Sequence, residues 1–127
     1  MRRLLLVLLP CAFAATVFAA PLPPAARAEI DGLLSRLEAS ACQFNRNGTW
    51  YPATEAKSHL LRKLKYLEDR GLVQSAEQFI ERAASSSSTT GRPYLVRCGT
   101  GAPVQSGTWL LSRLQGMRSP GRTGSTP

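Results

Sequence analysis

The chain has 127 residues, of which 43% are hydrophobic and 19% charged, and its 16 Lys and Arg against 8 Asp and Glu give a formal net charge of +8. That length makes one small domain with a modest core, not a multidomain assembly. Cys42, Cys98 and His59, all that stay once Cys11 is counted with the N-terminal apolar run, are too few for a structural zinc site.

The N-terminus has the layout of an export leader. Met1-Arg2-Arg3 is a short positive start, and an apolar run from Leu4 to about Phe18 follows, interrupted by Pro10. The expected location is the periplasm, which argues against nucleic acid as a partner. Two cleavage sites fit: after Ala19, or after the A-x-A of Ala26-Arg27-Ala28. The apolar run is too short and broken to span a bilayer, and Pro10 before Cys11 is wrong for a lipidated cysteine. The expected organisation is a leader over 1–28, one globular domain over 29–117 and a polar, disordered tail over 118–127.

Removing Arg2, Arg3 and Arg27 with the leader leaves 13 basic against 8 acidic residues, a net of +5. Mild basicity fits contact with an anionic envelope surface, and fits solubility alone equally well. Cys11 leaves too, so Cys42 and Cys98 remain as an even pair. A disulfide between them is expected, worth roughly 4 kcal/mol in the chain-entropy account for a loop of that size.

Glu29 to Ala41 carries Ile30, Leu33, Leu34, Leu37 and Ala41 at helical spacing, with Gly32 weakening the helix slightly. Cys42 to Tyr51 reads as a hairpin centred on Asn47-Gly48, because both residues accept the positive φ of a type I′ turn. The same letters make the sequon Asn47-Gly48-Thr49, which nothing else in the chain supports. Pro52 opens a helix that runs to about Arg70 and stops at Gly71. Its buried stripe is Ala53, Ala56, Leu60, Leu64 and Leu67. Ser75 begins a third helix with the capping box Ser75-Ala76-Glu77-Gln78.

Ser85 to Gly91 reads as a low-complexity polar loop, most simply a flexible connector. Pro93 to Cys98 has strand composition, with Tyr94, Val96 and Cys98 on one face and the Asn47-Gly48 hairpin as its partner. Gly99 to Gly107 is expected as loop, and Ser106 as the cap of a last helix bearing Trp109, Leu110, Leu114 and Met117. The fold class is therefore α+β: about four helices with a small antiparallel sheet and one disulfide.

No complete catalytic motif is present. Glu55, His59 and Lys63 are spaced i, i+4, i+8 and share a helix face beside the apolar stripe. A carboxylate beside the imidazole is the arrangement that orients a general base, whereas a solvated helix face is the plainer alternative. The serine run has no P-loop glycines or lysine. Trp50-Tyr51 is either core or a sugar-stacking pair. Arg46 at the turn is a weak anion-binding signal.

Several blocks carry a family pattern: Phe44-Asn45-Arg46-Asn47-Gly48, Glu55-Ala56-Lys57-Ser58-His59-Leu60 with Lys63-Leu64, Ala76-Glu77-Gln78-Phe79-Ile80, Ala84 to Ser88, and Gly91-Arg92-Pro93-Tyr94. In this order, over Cys42 to Arg97, they resemble the YfeK-like family of small exported bacterial proteins, a domain of unknown function. The resemblance implies a bacterial periplasmic protein and brings no activity or ligand. Arg46, Asn47, Glu55, His59, Lys63 and Tyr94 carry over as candidate contact residues, and Thr90 stands where that pattern has serine. The expected function is a non-enzymatic binding or interaction module without cofactor or metal. Its partner is unidentified, with an anionic envelope component or another periplasmic protein as candidates. The alternative is an envelope-polymer hydrolase using Glu55 and His59.

Overall fold

The computed structural model describes residues 10–14 and 20–119. Residues 1–9, 15–19 and 120–127, which hold most of the expected leader and polar tail, lie outside the described residues. The chain runs α1 (Pro24–Ala39), β1 (Gln43–Arg46), β2 (Thr49–Pro52), α2 (Ala53–Glu68), α3 (Ala76–Ala83), β3 (Leu95–Arg97), β4 (Val104–Gln105) and α4 (Ser106–Arg118). The strands form one antiparallel sheet in the order β2-β1-β3-β4. The fold class is α+β, with four helices, this sheet and the Cys42–Cys98 disulfide.

α1 begins at Pro24, five residues ahead of the expected start at Glu29. A proline at the first helical position has its φ already set and no amide to satisfy. Ala26 is buried, Leu22 packs against the core, and Arg27 pairs with Glu68 of α2. The helix thus uses residues assigned to the leader in the longer cleavage alternative. Gly32 marks close helix packing: a Cβ there would lie 2.6 Å from Met117 Cε on α4. At the other end of the expected domain, Arg118 belongs to α4 and not to the tail.

The β1–β2 turn is as the sequence predicts. Asn47 has φ 53° and Gly48 φ 88°, the left-handed pair of a type I′ hairpin. Phe44 pairs with Tyr51 on one side and Val96 on the other. Side chains alternate along a strand, so Phe44 and Val96 face the helices together with Arg46 and Tyr94, two residues along. Gln43 pairs with Arg97, which sets Cys42 opposite Cys98 at a Cα separation of 4.3 Å. The disulfide therefore continues the β1–β3 register by one step.

α2 buries Ala53, Ala56, Leu60, Leu64 and Leu67, the stripe read from the sequence. Its end is closed by Leu72 N–H donating to Leu67 O and Gly71 N–H to Glu68 O, with Gly71 at φ 64°. α3 is capped as expected by Ser75, whose Oγ accepts from Gln78 N–H at 3.1 Å. The return arm shifts by one residue: Gln78 Oε1 accepts from Gln74 N–H at 2.9 Å.

Three expectations are corrected. Within the expected Gly99–Gly107 loop, Val104–Gln105 pairs with β3 as an edge strand. Ser106 does not cap α4; Gln105 holds the cap position, and Ser106 N–H donates to Tyr94 O at 2.8 Å. Last, the serine run is an ordered loop. Ser87 is 6% exposed, and its amide donates to Arg92 O while Gly91 N–H donates to Ser87 O, both at 2.9 Å. Hydroxyls that close onto backbone and neighbouring side chains give such a loop a defined shape.

Candidate functional site

α2 and the inner sheet face meet along one seam. The helix turns His59 and Lys63, flanking its buried stripe, toward the sheet, and the pleat brings Arg46 and Tyr94 from above. Arg46 Nη1 lies 2.6 Å from His59 Nδ1. It is also 3.4 Å from Nε2, so the shorter contact is the hydrogen bond. His59 Nε2 is 3.1 Å from Tyr94 Oη, and Lys63 Nζ donates to that same oxygen at 3.1 Å. Lys63 also donates to Ser86 O at 3.1 Å.

Arginine has no acceptor, so the shorter Arg46 contact assigns the lone pair to Nδ1 and the proton to Nε2. Burial, then the charges of Arg46, Lys63 and Arg62, hold the His59 pKa down to about 4. The ring is neutral at ordinary pH. Burial, then Arg46, lowers Lys63 as well, and burial raises the Tyr94 phenol against the opposing pull of Arg46.

Of the six candidate residues, four form the chain Arg46–His59–Tyr94–Lys63. Asn47 does different work. Its Nδ2 donates to Ser87 Oγ at 3.1 Å and its Oδ1 accepts from Thr90 Oγ1 at 2.6 Å, so it clips the serine loop to the hairpin turn. The hydroxyl of Thr90 thus makes a tertiary contact. Glu55 lies one turn below His59 and is exposed; the imidazole lone pair goes to Arg46, not to a carboxylate-oriented arrangement. The Glu55–His59 dyad that base catalysis needs is not formed.

Two hollows open on either side of this seam and share Arg46, Tyr51 and His59. One, of about 330 Å³, is walled by Phe44, Tyr51 and Ala56 with Thr54, Glu55 and Ser58 at its edge. The other, of about 520 Å³, is lined by Asn47, Lys63, Ser87, Ser88, Thr89 and Tyr94. Trp50 and Tyr51 are neither core nor a free loop pair. They sit half-buried on β2 with Arg97 4.2 Å over Trp50 and Arg46 5.1 Å over Tyr51. Arg62, exposed on α2 beside His59, was not among the candidates; its i+3 spacing from His59 is the signal that would have found it.

Among the described residues no group of three or more His, Cys, Asp or Glu is placed to hold a metal, and no helix is long and apolar enough to cross a membrane. Charge in the groove is mostly positive, with Arg46, Arg62 and Lys63 against the single carboxylate of Glu55. None of the ion pairs among the described residues involves Arg46, Arg62 or Lys63.

Fold and groove define a small disulfide-stapled α+β domain with a basic seam between one helix and a sheet face. Residues 24–118 match the family described as a family of unknown function, DUF5329, and the chain belongs to that family. It is 44% identical over 68 residues to the uncharacterized protein YfeK of Salmonella typhimurium, covering 53% of this chain and 55% of that relative. The chain thus spans about half the length of the curated relative it matches. The YfeK-like resemblance read from the sequence blocks is thereby shown. No solved structure matches.

Proposed function

We propose that this protein is a non-enzymatic binding module of the bacterial periplasm, and that its groove takes an anionic ligand. One observation carries the reading: Arg46, Lys63 and Arg62 gather around a neutral His59 and the Tyr94 phenol with no ion-paired carboxylate. Neighbouring cations repel one another, so an unbalanced cluster is stabilised by an anion that binds it. The serine-loop hydroxyls line the same hollow and add neutral donors. Export is supported by the charged start and apolar run of the first eighteen residues, and by a disulfide suited to an oxidising compartment. A hydrolase built on Glu55 and His59 has less support, because Arg46 occupies the lone pair that a base needs free.

The test is titration of the purified protein with inorganic phosphate and with sulfate at low ionic strength, followed by amide chemical shifts. Saturable shifts confined to α2, the β1–β2 turn and the serine loop are expected. Lys63→Met should weaken binding at least about tenfold, the usual worth of a hydrogen bond from a charged donor. Absence of saturable binding by either anion would remove the reading.

A further inference from the structure

We propose that the ligand is a hexose bearing an oxyanion, with the oxyanion in the Lys63–Tyr94 hollow and the sugar ring in the Tyr51–Glu55 hollow. This rests on the anionic-ligand reading above and names its substrate class.

Hydrogen-bond accounting separates the two hollows. In the larger one, Tyr94 Oη accepts from His59 Nε2–H and from Lys63, which uses both its lone pairs. Its own O–H proton then has no acceptor among the described residues. Lys63 has three N–H groups and spends two, on Ser86 O and Tyr94 Oη. Asn47 gives one of its two N–H groups to Ser87 and one Oδ1 lone pair to Thr90, so one N–H and one lone pair stay open. The open groups here are mostly donors beside positive charge, and the group that suits them best is one that only accepts: a carboxylate or a fully deprotonated phosphate ester.

The smaller hollow has the opposite character. Phe44, Tyr51 and Ala56 make an apolar wall, and Glu55, Thr54 and Ser58 make a polar edge. Glu55 forms no ion pair among the described residues and is the groove's single carboxylate. Its place in the first turn of α2 suits the helix dipole, but it also faces this space with both oxygens free to accept. A pyranose ring presents an apolar C–H face for such a wall and a rim of hydroxyl donors for such a carboxylate. A bare inorganic anion fills only the donor hollow. A neutral sugar leaves the cations unbalanced. Arg46, Tyr51 and His59 line both hollows, so one molecule can span them, and each volume lies in the range of small-ligand sites.

The experiment compares four probes on the full purified chain: glucose 6-phosphate, glucuronate, inorganic phosphate and glucose. At least one sugar anion should bind about tenfold or more tightly than inorganic phosphate, and glucose should bind weakest. Whichever sugar anion is tighter identifies the oxyanion as phosphate or carboxylate. Glu55→Gln keeps the shape and removes the charge; it should erase the advantage of the sugar anion and leave inorganic phosphate as tight or tighter. Lys63→Met should weaken every anion. If that variant fails to fold, Lys63→Gln, which removes the charge and keeps an N–H donor beside Ser86 O and Tyr94 Oη, supplies the same comparison. Phosphate binding that depends on Lys63, with no advantage for either sugar anion, overturns this proposal and leaves the anionic-ligand reading standing. Failure of all anions overturns both.

Discussion

The two ends of the molecule treat charge in opposite ways. At the helical end, cations and carboxylates are matched across elements. Arg118 of α4 reaches Glu29 of α1 and Glu77 of α3, Arg27 of α1 reaches Glu68 of α2, and Lys57 of α2 reaches Glu38 of α1. At the groove end, Arg46, Lys63 and Arg62 face one another across a neutral imidazole. Surface pairing costs little and contributes little. An unmatched, partly buried cluster is a standing cost to the fold, and such a cost marks a place where a ligand completes the structure. The difference teaches that the helical end is settled by the chain alone, whereas the groove end is left open.

The strongest way to break this contrast is to loosen the sheet that carries Arg46 and Tyr94. Cys42→Ser removes the staple between β1 and β3, whose residues are 56 apart in sequence. Loss of about 4 kcal/mol is expected from the freed loop entropy, measured by denaturant unfolding under oxidising conditions. Amide exchange should accelerate in β1 and β3 more than in α1 and α4. Stability unchanged within about 1 kcal/mol would show that apolar packing alone holds the groove end in place.

A second variant tests whether the serine loop is built or merely tethered. Ser87 Oγ accepts from Asn47 Nδ2 at 3.1 Å and from the Thr89 and Thr90 amides at 3.3 Å. Ser87→Ala strands these donors and should cost about 1–3 kcal/mol. A shift within about 0.5 kcal/mol would return the loop to the status of a connector.

How much of this was legible in the sequence follows from the range of the forces involved. The stripes of α1 and α2 were readable because burial imposes a helical period on Leu33, Leu37, Leu60 and Leu64. The hairpin was readable because Asn47 and Gly48 accept positive φ. The row of His59 and Lys63 was readable from i, i+4 spacing. What escaped was set by distant partners. Val104 and Gln105 are a strand only because Val96 and Leu95 lie beside them. The serine loop is held in part by partners far away in sequence, Asn47 at 40 residues and Lys63 at 23. Arg46, and not Glu55, meets His59 because the sheet, invisible to helix periodicity, places the arginine on the imidazole.

The next test sharpens the electrostatic side of the comparison. The His59 pKa falls from 6.5 to about 4 in the fold, through burial and the charges of Arg46, Lys63 and Arg62. Between those two values the unfolded chain binds a proton that the native ring does not, so stability must fall as pH drops from 6.5 toward 4. His59 is half-buried, and after discounting for solvent screening the loss is about 1 kcal/mol. His59→Gln keeps a hydrogen-bonding group without this titration, and its unfolding free energy should be flatter over the same window. Equal slopes for the two proteins would mean that the cations do not bear on His59 as the geometry has them.

The smallest effect belongs to the paired end. Arg27 and Glu68 have side chains 44% and 26% exposed, so Arg27→Ala should cost no more than about 0.5 kcal/mol. The value of the variant lies in what it is compared with. Leader cleavage after Ala28 would remove Arg27 altogether, together with Pro24, buried Ala26 and the Leu22 contact with the core. Such truncation deletes apolar packing as well as a salt bridge and should destabilise by more than Arg27→Ala does, at about 25 cal/mol for each Å² of apolar surface lost. Cleavage after Ala19 keeps the whole of α1, and it keeps Ala20, whose carbonyl accepts from Gln74 Nε2 at 3.3 Å. The intact mass of protein recovered after export should therefore correspond to a chain beginning at Ala20. A chain beginning at Glu29 that is as stable as the longer form would show that the first turn of α1 contributes nothing, and that the charge pairing of the helical end does not extend to its N-terminus.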